Sequence, residues 1–230
     1  MSELVIFDCD GVLVDSERLS HSVLHQMLRE MGSSISYEDT VLRFIGTSLP
    51  TCLARIAELL GHSPPHNFKA DFGRRTRAAF EAELVVVSGV EQVLAAMTGP
   101  YCVASNGNRA KVAFTLGHTG LRARFEGRIF TAEEVPHPKP APDLFLFAAR
   151  TLGADPARTT VVEDTPTGIL AAKSAGMRAI GFAAMTPAAR LREAGADAVA
   201  HTIPEVAALL AAPWAMPPHS SVRSLPARAP

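Results

Sequence analysis

The stretch from Leu4 to Ser16, L-V-I-F-D-C-D-G-V-L-V-D-S, constrains the fold more than any other part of the chain. Leu4 to Phe7 is an unbroken apolar run, the pattern of a strand buried on both faces as in a parallel sheet. Two aspartates spaced i, i+2 follow it. Alternation in extended backbone aims Asp8 and Asp10 the same way, off the carboxyl end of that strand. Gly11 then lets the backbone turn sharply, with no Cβ to clash. By itself such a run is equally a strand with a polar turn, and the rest of the chain decides between the two.

After Ser16 the apolar period changes to that of a helix. Helices are expected over Glu17 to Met31, Tyr37 to Phe44, Pro50 to Leu60 and Phe68 to Leu84, with Gly32 and Gly61 as stops. No strand pattern appears between Ser16 and Val85, so this block reads as an insertion rather than a short crossover. From Ser88 onward strands and helices alternate. Strands are expected at Tyr101 to Ala104, Arg128 to Thr131, Thr159 to Val162, Ala179 to Phe182 and Ala198 to Ala200, with helices between them. Repeated β-α units build a parallel doubly wound sheet. The expected fold is therefore α/β, a Rossmann-like doubly wound parallel sheet core with an inserted α-helical cap. Residues 1–16 and 88–212 form the core, residues 17–87 the cap, and 213–230, with five prolines, a disordered tail.

Composition removes several function classes. The 230 residues carry a formal net charge of −1 and no basic block, which argues against a nucleic-acid or anionic-membrane surface. No apolar run approaches the ~18 residues of a membrane span. Cys9, Cys52 and Cys102 are few, odd in number and lack metal-ligand spacing, as expected of reduced thiols in a cytoplasmic protein. The apolar run begins by Leu4, which leaves no room for a signal peptide. A monomer or weak homodimer is expected.

Ligands of doubly wound sheets bind beyond the carboxyl ends of the strands. The first strand end carries Asp8 and Asp10, the second Ser105 and Asn106, the fourth Glu163 and Asp164, and Lys139 precedes a helix in H-P-K-P. Four converging carboxylates repel one another unless a hard divalent cation joins them, and Mg2+ suits a site shared with phosphate. Ser105 and the amides at the next helix start offer donors to an anion, and Lys139 adds a compact positive charge. Together these groups make a phosphoryl-transfer site with a carboxylate nucleophile.

F-D-C-D-G-V-L-V-D-S, V-A-S-N-G, P-K-P-A-P-D and V-V-E-D-T-P-T-G resemble, in that order, the four motifs of the haloacid-dehalogenase-like (HAD) hydrolases. The resemblance runs from about Leu4 to Leu210 and includes the helical block, which looks like that family's mobile cap. It implies strand order 5-4-1-2-3 with the first strand central. It also implies that Asp8 is the nucleophile and forms an aspartyl-phosphate, with Asp10 as general acid and then base. Ser105 and Lys139 then hold the phosphoryl oxygens. Mg2+ is held by Asp8, the Asp10 main-chain carbonyl and Asp164, with Glu163 a ligand or a support. Asn106 and the loop residues Gly46, Thr47 and Ser48 are expected to contact substrate.

Departures from relatives refine the expectation. Enzymes of the family that cleave carbon-halogen bonds generally lack the second aspartate, present here as Asp10. Mutases resembling β-phosphoglucomutase carry a histidine where Ser20 stands and an arginine where Leu49 stands. His21 is one residue away, rotated by about 100° on a helix. The expectation is a phosphatase of small phosphorylated metabolites, sugar or sugar-acid monophosphates. A phosphosugar mutase is the alternative within the family, and a phospho-aspartate binding switch the alternative outside it. A switch of that kind would place its phosphorylated aspartate at the third strand, where Thr131-Ala132-Glu133-Glu134 stands instead.

Overall fold

The computed structural model describes residues 3–47 and 49–213. Six parallel strands form one sheet: β1 (Leu4–Phe7), β2 (Tyr101–Ser105), β3 (Ile129–Thr131), β4 (Thr159–Glu163), β5 (Arg178–Phe182) and β6 (Ala198–Ala200). Their order is β3-β2-β1-β4-β5-β6, which puts β1 in the interior between β2 and β4. The order inferred from the motifs is present, extended by β6 at one edge. Interior position explains why Leu4 to Phe7 is apolar without alternation, since all four residues are buried.

Ten α-helices and three short 3-10 turns complete the described chain. Five lie between β1 and β2, and the first four of them form one block: α1 (Ser16–Glu30), α2 (Tyr37–Phe44), α3 (Leu49–Leu60) and α4 (Phe68–Glu83). The others are α5 (Val90–Ala96), α6 (Arg109–His118), α7 (Asp143–Thr151), α8 (Pro166–Ser174), α9 (Ala188–Glu193) and α10 (Ile203–Ala211). Thr165 caps α8 as its sequence suggests: Gly168 N donates to Thr165 Oγ1 at 3.1 Å, and Pro166 occupies the first turn.

The apolar residues sort into three clusters. One face of the sheet packs Val5, Phe7, Val103 and Val162 against α5, α6 and α10. The other packs Leu4, Ile6, Ala104 and Val161 against α7 and α8. The third, Leu24, Met27, Leu28, Phe44, Ile56 and Phe68, lies wholly within the α1–α4 block. Two neighbouring chain segments join that block to the sheet. Asp15 N donates to Val85 O at 3.0 Å and Val87 N to Leu13 O at 3.0 Å, so entry and exit run side by side. Leu19 and Phe80 at the base of the block belong to the sheet's own cluster. The proline-rich stretch expected to be a tail falls, from residue 214 onward, outside the described residues.

Candidate active site

Sequence-distant strand ends meet in a cavity of about 320 Å³ whose lining includes Asp8, Asp10, Ser105, Lys139, Glu163 and Asp164. Parallel strands bring this about, because every β-strand runs the same way and delivers its carboxyl end to the same edge. β1 supplies the two aspartates, β2 Ser105, and β4 ends in Glu163 with Asp164 next. Gly11 makes the turn after Asp10 with φ +76°, a left-handed conformation. Glycine is required there for a second reason: a Cβ would lie 2.2 Å from Asp164 Oδ2.

Lys139 is the hub. Its ammonium donates to Asp8 Oδ1 at 2.7 Å, to Glu163 Oε1 at 2.7 Å and to Ala104 O at 2.8 Å, which engages all three of its donors. Burial works against its charge, but Asp8 and Glu163 more than offset that and hold Lys139 above its ordinary value. The main chain beside it is fixed too. Asn106 Nδ2 donates to Lys139 O and Lys139 N donates to Asn106 Oδ1, both at 3.0 Å. Asn106, expected at the substrate, thus directs its amide to the Lys139 main chain, where two bonds orient the loop.

Glu163 is equally engaged. Its Oε1 faces Lys139, while Oε2 accepts from Thr165 N at 2.9 Å and Thr165 Oγ1 at 2.8 Å. Of the two roles offered by its sequence position, ligand or support, this geometry is that of a support. Gly168 makes room for it, since a Cβ there would fall 1.8 Å from Glu163 Cδ. Ser105 is buried, and its Oγ accepts from Gly107 N at 3.0 Å, leaving its hydroxyl proton for another acceptor.

The two aspartates differ electrostatically. Burial pushes Asp8 up to about 7, against the pull of Lys139 and with Glu163 and Asp10 adding to the rise. Asp10 is shifted the other way. Burial would raise it, but Lys111 Nζ at 2.8 Å from Oδ2 and Ser16 Oγ at 2.6 Å from Oδ1 more than compensate and hold it below the carboxylate norm. Sequence reasoning missed Lys111. A signal existed: Arg109 and Lys111 sit in the first turn of α6, where the helix dipole favours anions, so a cation there needs another partner.

A divalent cation fits these residues. Asp164 is buried, its Oδ1 has no hydrogen-bond partner, and burial with neighbouring carboxylates pushes it well above the usual range. An orphaned buried carboxylate oxygen among like charges is what a hard cation stabilises. Among the described residues no three His, Cys, Asp or Glu side chains are grouped as ligands of one ion.

A second cavity of about 760 Å³ adjoins the first, and Glu17, Gly46, Thr47 and Gly107 line both. Gly46, with φ +67°, sits where an added Cβ would lie 3.7 Å from Thr165 and Pro166, so the α2–α3 loop faces the start of α8. Thr47 follows it, its hydroxyl donated to Phe44 O at 2.7 Å, so it meets a ligand as an acceptor. Ser48 lies outside the described residues. Ser20 and His21 both line this cavity, although their helical offset suggests that only one would. The His21 ring is buried, with Nδ1 2.8 Å from Glu17 O.

The sequence model of the haloacid dehalogenase-like hydrolases matches residues 3–176. The 6-phosphogluconate phosphatase of Escherichia coli is 29% identical over 187 residues, covering 79% of this chain and 83% of that protein. A haloacid dehalogenase-like protein of Agrobacterium tumefaciens superposes with a TM-score of 0.85 at 34% identity, covering 92% of this chain and 100% of that one. A HAD family hydrolase of Deinococcus radiodurans, solved with bound phosphate and sodium, superposes at 0.81 with 31% identity, over 91% of this chain and 95% of that one.

Proposed function

We propose, on the footing that this chain belongs to the haloacid dehalogenase-like hydrolases, that it is a Mg2+-dependent phosphatase of sugar or sugar-acid monophosphates working through an aspartyl-phosphate. The enzyme class, phosphoric monoester hydrolase, rests on the family and on relatives such as the E. coli 6-phosphogluconate phosphatase. The observation that carries the mechanism is the hold on Asp8: one carboxylate oxygen is pinned by a lysine that Glu163 and Ala104 O pin in turn. A carboxylate so fixed at a strand end is oriented as a nucleophile.

Asp8 attacks phosphorus, the ester P–O bond breaks, and the leaving oxygen takes its proton from Asp10. Water then attacks the aspartyl-phosphate, passes a proton to Asp10, and inorganic phosphate departs with Asp8 regenerated. In the free protein Lys111 and Ser16 keep Asp10 ionised. Its proton is therefore taken up when the phosphoryl dianion enters beside it and raises its affinity for protons. Ser105 donates to a phosphoryl oxygen. Held by Asp8, Asp164 and the Asp10 carbonyl, Mg2+ would neutralise the charge gathered between these carboxylates and the anionic substrate. The α1–α4 block, joined to the sheet by two adjacent segments, serves as the lid that carries the Gly46–Thr47 loop to the site. The free thiols Cys9, Cys52 and Cys102 fit a reducing, cytoplasmic compartment.

One observation favours a second reading, a phosphosugar mutase: His21 is on the wall of the larger cavity. Leu49 on the same wall offers no charge to a second phosphate. The test is phosphate release from a panel of monophosphates with Mg2+, run beside an assay for interconversion of sugar 1- and 6-phosphates with bisphosphate supplied. Release without interconversion is expected. Robust interconversion would replace the first reading with the second, and no release from any ester would overturn both.

A further inference from the structure

The two adjoining cavities carry opposite charge. The phosphoryl cavity sets Asp8, Asp10, Glu17, Glu163 and Asp164 against Lys139. In the larger cavity the ionised side chains are Lys69, Arg77 and Lys111, with Glu17 the acidic residue at the boundary. Arg77 is tied to Glu81 at 2.7 Å, and its guanidinium lies 3.3 Å from the centre of the Phe114 ring. Lys111 is placed differently. Its side chain is 38% exposed, and Nζ donates to Asp10 Oδ2, the carboxylate next to the leaving oxygen in the mechanism above.

An ammonium has three donors, and the one to Asp10 is the Lys111 Nζ hydrogen bond found among the described residues. The Phe80 ring, 6.0 Å away, is a face and not an acceptor that exhausts the others. Lys111 therefore presents unused donors and a persistent positive charge on the wall where a leaving group must lie. Lys69 adds a second cation on that wall, with no ion pair among the described residues. Once Asp10 has taken up its proton, a neutral polyol leaves the Lys111 charge uncompensated in a half-buried space. A carboxylate compensates it and accepts from the same ammonium.

We propose that Lys111 is the specificity-determining residue of the larger cavity and selects leaving groups bearing a carboxylate. This rests on the phosphatase reading and deepens it. Carboxylate preference then arises from α6, an element of the sheet core, and not from the lid loop alone. Lys111 holds the leaving group and Asp10 together, so the acid and the group it protonates share one ammonium. Substrates lacking the anion still reach Asp8, because Lys111 touches Asp10 but does not line the phosphoryl cavity.

The experiment compares an aldonate 6-phosphate with the corresponding aldose 6-phosphate, which lacks the carboxylate, and an aryl phosphate too short to engage the wall. Wild type, Lys111→Met and Lys111→Arg are assayed with Mg2+. Wild type is expected to favour the aldonate about tenfold or more in kcat/KM, mostly through KM, as one charge-assisted contact allows. Lys111→Met removes that preference, and Lys111→Arg keeps part of it. Equal losses on all three esters would show that Lys111 only supports Asp10, and would overturn the proposal. A wild type without the preference, or a preference that survives Lys111→Met, would overturn it too. A wild type that hydrolyses none of the esters, aryl phosphate included, would strike instead at the phosphatase reading on which the proposal rests.

Discussion

The two cavities that share Glu17, Gly46, Thr47 and Gly107 are built on different principles. In the smaller one the side chains that hold Asp8 in place are fully engaged. Lys139 uses all its donors, Glu163 both oxygens and Asn106 both ends of its amide. In the larger one aromatic walls from Phe44, Phe72, Phe80 and Phe114 alternate with side chains that retain unused donors. A tightly bonded frame fixes a nucleophile to within fractions of an ångström, as in-line attack demands. A looser apolar wall with few polar points tolerates different leaving groups and discriminates by charge. The smaller cavity determines what reaction occurs, and the larger one determines on what.

The most severe way to break this division is Asp8→Asn. Loss of the nucleophile should lower kcat by on the order of 10⁴-fold or more on every ester, while retained binding shows in equilibrium dialysis of a labelled sugar-acid phosphate. A variant within tenfold of wild type would remove Asp8 from the mechanism. Next comes the metal. Exhaustive chelation should stop hydrolysis of aryl and sugar phosphates alike, Mg2+ should restore both, and Ca2+, with larger and looser coordination, should restore little. Undiminished turnover after chelation would show that the unpartnered Asp164 Oδ1 has another purpose.

A smaller change sharpens the contrast. Gly168→Ala drives a methyl into Glu163 and should shift Lys139 and Asp8 together. A displacement of that kind lowers kcat by roughly 10²-fold, while the order of preference among leaving groups stays as it was. Steady-state kinetics on the three esters reads both, and a reordered preference would mean that the frame and the wall are not separable.

The smallest effect is on stability. Asp8 titrates near 7 in the folded chain and near 4 unfolded, so between those values the folded state holds a proton that the unfolded state has released. The metal-free protein should therefore lose stability as pH rises from about 4 to 7, and Asp8→Asn should make that slope shallower, leaving the share of the raised Asp164. Thermal midpoints in chelator across this range provide the measurement. A midpoint that climbs through the window in wild type and variant alike would contradict the raised Asp8.

Much of this was legible before any fold was known, for one physical reason. A parallel sheet sends all its strand ends to one edge, so D-x-D, S-N and E-D at strand ends imply their own meeting. Local patterns sufficed to locate the strands and the sharp turn at Gly11. What the local patterns could not say is which partner each side chain takes once it arrives. Asn106 turned to the Lys139 main chain, Glu163 to Thr165 and Lys139, and Lys111 crossed to Asp10 from a residue 101 positions away. Gly168 looked like part of a motif, and only its closeness to Glu163 explains why no side chain fits. Period and turn chemistry act between near neighbours, so the chain itself determined the strands, the helices and the residues gathered at the sheet's edge, while the strand order was implied only by the resemblance of its motifs. Pairing among buried charges depends on distances of about 3 Å between groups far apart in sequence, and those distances exist only after the chain has folded.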